Sequence, residues 1–417
     1  MKRNLLSYDF FEYLVAIFLV LHGNSVLICT GISHANFVIC ICMGCSILAC
    51  LILKKRIRFG VLKSGCTVIT LLLIYLGLYF IAQNIVVGVE TRESLGTKIL
   101  GLVLVLIFYI ICCTDRAIPS VIYKYEKVIL FVSGVSLVFW VLGSLMHIIH
   151  PTGIAYSTWT GDEVPINSYY GIYYETQIMI LPGIGRIQRN TAIFTEAPMS
   201  VFHFLLALLI ELFLRENISH KRVVLLSVAV ISTLTTTGVV VLIGALLCAY
   251  LQKKSASRFY KVVKTVILPT MIILGGVLVV RMIGDKLETG SGRSRIDDFT
   301  AGFKAWTDRP IFGHGIDNLP AIRNYMSSFR RNNQGFSNSP TKILAEGGIY
   351  ISALYLYPII RSCAVFIRNK KWHLLCFECV FLCMFTFTIV PYLFLTMFIF
   401  VWFGFGNFKN IQETDNL

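Results

Sequence analysis

Residues 36–58 read NFVICICMGCSILACLILKKRIR. The stretch from Asn36 to Leu53 carries no charge and, as a helix, is long enough to cross ~30 Å of hydrocarbon. It ends abruptly in Lys54, Lys55, Arg56 and Arg58. Comparable runs recur along the chain: Phe10–Ile28, Cys66–Ile85, Ile99–Cys113, Val128–Ile149, Met199–Leu214, Val223–Leu234, Gly238–Leu251, Val262–Val280, Ile349–Ile367, Leu374–Val390 and Pro391–Phe405. Composition agrees with this reading. Of 417 residues, 56% are hydrophobic and only 14% charged, and mean hydropathy is +0.74; a soluble surface needs about 25% charged residues. The expected fold is an all-α, polytopic integral membrane protein of about twelve transmembrane helices, a single helical domain over residues 1–417.

Charge fixes the expected orientation. The net charge of +15 comes from 37 Lys and Arg against 22 Asp and Glu. In a chain this apolar it points to the bias of cationic loops toward the cytoplasm, not to nucleic acid. With the N-terminus inside, the clusters at 54–58 and at Lys253, Lys254, Arg258 and Lys261 all fall on the cytoplasmic side. Both termini are then cytoplasmic, and the expected location is the cytoplasmic (inner) membrane. MKRNLLSYDF leads into the first run with no small-residue cleavage site, so that helix is expected to be retained. Two long loops remain outside, 151–198 and 281–348. The second is basic, with Arg281, Lys286, Arg293, Arg295, Lys304, Arg309, Arg323, Arg330, Arg331 and Lys342; Arg330 reads as a solvated charge. TLTTTG at 233–238 predicts a tight connection between two spans.

No nucleotide-binding or hydrolase signature is present: no Walker A, dinucleotide-type GxGxxG, HExxH or GxSxG. The 13 Cys lie in or beside apolar runs and read as small buried hydrophobes, not as metal ligands or a disulfide framework. No metal or cofactor is expected. Glu12, Glu211 and Glu378 fall within or at the ends of spans, and His147 and His150 read as interfacial. The informative stretches are external. RIQRNTAIFTEAP at 186–198 leads directly into a span and carries Arg186, Arg189 and Glu196. SGRSRIDDFTAGFKAWTDRPIFGHGIDNL at 291–319 places Phe299, Phe303 and Trp306 at helical spacing. There Pro310 ends the helix, and Gly313 and Gly315 form a turn around His314. SNSPTKILAEGGIY at 337–350 brings Asn338 to the next span.

These three stretches, in this order, resemble the O-antigen polymerase and O-antigen ligase superfamily. The matching residues are Arg189, Phe194, Glu196 and Pro198, with Ala192 where the family has glycine. They continue with the Thr235–Gly238 break, then Arg293, Trp306, Pro310, Ile311, Phe312, Gly313 and Gly315, followed by Asn318. The ligases' His-Asn before the next span is replaced by Ser337-Asn338, which favours a polymerase over a ligase. The resemblance implies a GT-C-like membrane glycosyltransferase whose donor is a polyprenyl-pyrophosphate-linked oligosaccharide. The product would be an O-antigen, capsule or exopolysaccharide, with membrane lipid, a flippase and a chain-length regulator as partners. A ligase, or a lipid-linked-sugar flippase or transporter, is the alternative; no internal repeat of the transporter kind is visible.

The residue chemistry fits such a donor. A departing diphosphate is stabilised by arginine forks, which stay protonated. Arg189 and Arg293 are the expected catalytic clamp. Glu196 and His314, with Asp297, are candidate bases, and Arg186, Arg295, Trp306 and Asn338 are expected to bind substrate.

Overall fold

The computed structural model describes residues 7–29, 35–54, 59–87, 92–114, 116–157, 163–181, 183, 185–252, 290–330 and 335–408. The expected span Val262–Val280 lies outside the described residues, as do Arg281, Lys286 and Arg331. The chain is mostly helical. In order come α1 (Tyr8–Leu21), α2 (Ala35–Leu53), α3 (Phe59–Ala82), α4 (Arg92–Phe108), α5 (Ser120–Phe139), strands β1–β5, α6 (Ala197–Phe213), α7 (His220–Ser232) and α8 (Thr236–Gln252). Then follow α9 (Gly290–Asp308), α10 (Leu319–Arg323), α11 (Ser339–Arg368), α12 (Trp372–Thr386) and α13 (Phe394–Phe405).

Four of the described helical stretches are long and apolar enough to cross a membrane: Ala35–Leu53, Gly65–Ile85, Ser120–Leu145 and Ser339–Arg368. Five shorter apolar helices accompany them. The chain is a membrane protein, and its packing follows from which helices are apolar all round. APMSVFHFLLALLIELF in α6 and FLTMFIFVWFGF in α13 have almost no polar face, and nearly every residue of both is buried. A helix apolar on all sides belongs in the interior. α6 packs against α5, α7, α8 and α12, and α13 against α4 and α11. Peripheral α2, α3 and α7 turn Leu48, Leu71, Ile74, Leu78, Val224 and Ile231 outward. Several cysteines share that outward face. Cys45, Cys66, Cys379 and Cys383 are exposed, so they are not buried hydrophobes; in lipid an outward thiol meets the same apolar surroundings as a packed one.

The all-α expectation is corrected in the first long loop. Residues 153–188 form a three-stranded antiparallel sheet, β1 (Gly153–Ser157), β2 (Val164–Tyr169) and β3 (Tyr173–Glu175), and a hairpin, β4 (Ile178–Leu181) and β5 (Gly185–Gln188). Val, Ile and Tyr supply the strands, and Gly183 and Gly185 turn the hairpin at positive φ. The sheets sit on the end of α5. Trp140 donates to the Gln188 carbonyl at 2.8 Å, and Glu175 accepts from Ser144 at 2.6 Å and Tyr169 at 2.9 Å. The second loop is also ordered where described: α9 lies along α11.

Candidate functional site

The site is built where β5 runs into α6. Asn190 anchors this stretch. Its side chain donates to Ser232 at 2.9 Å and Ser136 at 3.2 Å, and its backbone N–H donates to the Ser232 carbonyl at 3.1 Å. Thr191 donates to the Tyr174 carbonyl at 2.7 Å, and Ser200 to the Thr191 carbonyl at 2.7 Å. Asn190, Thr191 and Ser200 are fully buried, so each polar group needs the partner it has. Ala192 adopts φ +49°. That is the left-handed region glycine enters freely.

This rigid strap aims Arg189 at the break between α7 and α8. Its Nε donates to the Thr233 carbonyl at 2.9 Å, and one terminal nitrogen donates to Gln177 Oε1 at 3.3 Å. From the second loop, Arg295 on α9 donates to the Thr237 hydroxyl of the same break at 3.2 Å. The predicted TLTTTG connection is therefore the seat on which both long loops set an arginine. Burial lowers the pKa of the Arg189 guanidinium; the Glu196 carboxylate opposes this and neighbouring Arg295 adds to it. Arg295 is likewise lowered by burial and raised by Glu196 and Asp298. Two cations and one carboxylate thus share a half-buried site. Glu196 is the N-cap residue of α6 but makes no capping bond; Gln177 Oε1 takes the Ala197 N–H at 3.0 Å instead. The Glu196 carboxylate acts electrostatically on both arginines.

Arg293 lies two residues from Arg295, about 200° around the helix, and is exposed. Arg295 is the α9 arginine brought to Arg189. The other expected site residues take separate places. Arg186 is exposed on β5, opposite Ile180. Trp306 donates to the Pro310 carbonyl at 3.1 Å and meets Phe303 edge-on, closing the end of α9. His314 is buried, with Nε2 3.0 Å from the Ala305 carbonyl; burial lowers its pKa, with Ala305 opposing. Among the described contacts it does not meet Arg189, Arg295 or Glu196. Asn338 is the N-cap of α11, its Oδ1 accepting from Thr341 N at 3.0 Å.

Arg330 is not a solvated charge. It is 3% exposed, donating to Asp298 Oδ1 at 2.8 Å and to the Ser294 carbonyl at 2.8 Å, with Asp297 at 3.5 Å. The other Asp298 oxygen accepts from Ser337 at 2.5 Å. Asp297 takes Ser327 N at 3.1 Å, so this candidate base is engaged in the same structure. The network pins α9, and with it Arg295, to the start of α11.

The glycine turn serves close packing. Gly313 and Gly315 have φ +66° and +104°. A Cβ on Gly313 would collide with the Glu346 backbone, and one on Gly348 with Ile311. Four backbone bonds join the two segments: His314 N to Ala345 O at 2.8 Å, Gly315 N to Glu346 O at 2.8 Å, Ile349 N to Pro310 O at 2.9 Å, and Tyr350 N to Ile311 O at 3.1 Å. Beside this junction lies a cavity of about 310 Å³ whose walls include Asn24, Ile28, Lys98, Asp317, Lys342 and Tyr392. Asn24 also accepts Thr195 N at 3.1 Å, one residue before Glu196, so the cavity adjoins the arginine site.

No curated protein matches the chain. Residues 223–356 match the family model described as O-Antigen ligase. That interval holds the α7–α8 break, Arg295, the Arg330–Asp298–Ser337 network and the glycine turn. Over that stretch, about a third of its length, the chain is similar to the O-antigen ligase family.

Proposed function

We propose that the protein is a membrane glycosyltransferase that polymerises lipid-diphosphate-linked oligosaccharide units on the external face of the cytoplasmic membrane, with both termini inside. The observation that carries this reading is the meeting of Arg189 and Arg295, from separate loops, on one helix break beside Glu196. In the reaction an acceptor hydroxyl attacks the anomeric carbon of the donor glycan. The bond from that carbon to the diphosphate oxygen breaks, and the polyprenyl diphosphate leaves with the electron pair. Negative charge grows on the leaving oxygen, where paired guanidinium forks are most effective. In this reading Glu196 takes the hydroxyl proton as the bond forms. Arg293, exposed on the other flank of α9, and Arg186 are available to the glycan or to lipid headgroups.

The family description also fits a ligase, which differs only in its acceptor. Position 337 favours the polymerase: the ligases' imidazole is absent, and the Ser337 hydroxyl is committed to Asp298 at 2.5 Å. A separate flippase would deliver the substrate and a chain-length regulator would limit the product. Incubation of the purified protein with a defined lipid-linked repeat unit tests the reading. A ladder of lipid-linked products is expected. Transfer of preformed chains to a second acceptor, without a ladder, would establish the ligase instead.

A further inference from the structure

A second cavity of about 300 Å³ runs between α3, α4, α11 and α13. Its walls are apolar almost throughout, including Leu72, Leu76, Leu102, Leu354 and Val401. Lys98 and Tyr392 line both this groove and the polar cavity beside Glu196, so the two spaces share a wall. At that shared wall Lys98 forms an ion pair with Asp317, and Lys342 approaches the same carboxylate at 3.7 Å. Both ammoniums also lie over the Tyr392 ring, at 4.6 and 5.7 Å from its centre. The Tyr392 hydroxyl donates to Glu346 at 2.6 Å, which fixes the ring. The two lysines and Asp317 line the polar cavity, and the Glu346 carboxylate stands 3.6 Å from Lys342. The wall therefore offers an apolar groove, then two ammonium groups able to exchange their carboxylate partners for a diphosphate, then a polar chamber whose lining Asn24 is bonded to Thr195.

We propose that this groove holds the acceptor: a single-chain lipid diphosphate whose tail lies between α3, α4, α11 and α13 and whose diphosphate sits at Lys98 and Lys342. This rests on the lipid-linked glycosyltransferase reading and adds the second substrate to it. The division of labour follows from charge. The donor's diphosphate gains charge as it leaves, which suits the Arg189–Arg295 forks. The acceptor's diphosphate is unchanged by the reaction, so a compact ammonium is enough to hold it. The acceptor glycan then extends through the polar chamber past Asn24, toward Glu196. Since the lysines see the same charge in ground and transition states, they contribute uniform binding.

Two measurements test this. In the first, a photoreactive benzophenone amino acid is placed at Leu72 or Leu354, and at outward-facing Leu78 as a control, in protein reconstituted with undecaprenyl diphosphate. Capture is expected from Leu72 and Leu354, several-fold above Leu78, and should fall in Lys98→Gln/Lys342→Gln. Equal capture from all three positions would overturn the groove. In the second, turnover of a defined lipid-linked acceptor is followed. Leu102→Trp and Lys98→Gln/Lys342→Gln should each raise the acceptor KM about tenfold with kcat nearly unchanged, whereas Arg295→Ala should lower kcat. The Leu102→Trp effect should vanish for a short-tailed acceptor, which shows that the variant is folded. Unchanged KM in both variants would refute the proposal while leaving polymerase activity standing. Capture in the groove by a protein that makes no polymer would instead refute the polymerase reading and leave the lipid site.

Discussion

Removing the Arg330 side chain should unfold the second external loop around Arg295. Arg330 is 3% and Asp298 1% exposed, so Arg330→Ala leaves a buried carboxylate held, among the described residues, by Ser337. The Ser294 and Gly335 carbonyls lose their donor as well. Removing one partner of a buried ion pair costs about 3–5 kcal/mol, and the expected loss is in that range. Because α9 carries Arg295, activity should fall with stability. Replacing both partners, as Arg330→Leu/Asp298→Leu, should recover much of the stability, since an apolar pair of similar volume carries no uncompensated charge. A pH signature separates this account from simple loss of packing. Burial raises the Asp298 pKa, with Ser337 and Arg330 pulling it down. Without Arg330 that pull weakens and the pKa climbs further above its unfolded value of about 3.9. A carboxyl raised in the folded state contributes stability that is present below the unfolded pKa and lost as pH rises through the folded one. The Arg330→Ala deficit should therefore be smaller at pH 5 than at pH 8. The assay is thermal unfolding in detergent, read as monodisperse protein surviving stepped heating. A midpoint matching wild type at both pH values would refute the reasoning.

Arg189→Ala and Arg295→Ala should each slow polymerisation about a hundredfold or more at matched protein level, by analogy with loss of one transition-state donor; Arg293→Ala should cost less, and product-ladder length reports all three. Arg189→Lys should rescue poorly, because an ammonium cannot reproduce the planar fork. Asn338→Ala should cost about 1 kcal/mol from the lost cap of α11, seen as a lower unfolding midpoint. Burial lowers the His314 pKa, so its neutral form supports the fold. That contribution is complete above about 6.5 and lost as pH falls below it, and His314→Gln should flatten the acid limb of the stability profile. External placement of both loops is checked by cysteine labelling at Tyr170 and Ser328 in intact cells, on a background cleared of native cysteines. Ser157, 7% exposed in its sheet, is unsuited to this.

The apolar helices among the described residues were legible because an uncharged run bounded by cations has few other readings, and TLTTTG broke its run where the helix breaks. The sheets were not. Their strands are three to six residues long, and exposed Ile154, Tyr170 and Ile180 blur the alternation that marks a strand. The choice between Arg293 and Arg295 needed the rotational setting of α9, which depends on what that helix packs against. Arg330 looked solvated because its partner Asp298 is 32 positions away in the chain. Asn190, Thr191 and Ser200 had a faint signal, small polar residues at the mouth of a wholly apolar helix, that burial alone turned into anchors.

The break in α11 bears on how the chain is made. At Gly348 the helix adopts φ +59° and ψ −162°, and the carbonyls of Ala345 and Glu346 are taken by the 314–315 turn. Irregular backbone is tolerated at membrane depth only where protein covers it. The first turns of α11 therefore have no finished form until residues 310–315 have folded back against them. During synthesis this segment must reach its final form late, after residues 310–315 have docked on it. A chain stalled before that point would hold α11 as an unfinished helix, open to the cell's membrane-protein quality control.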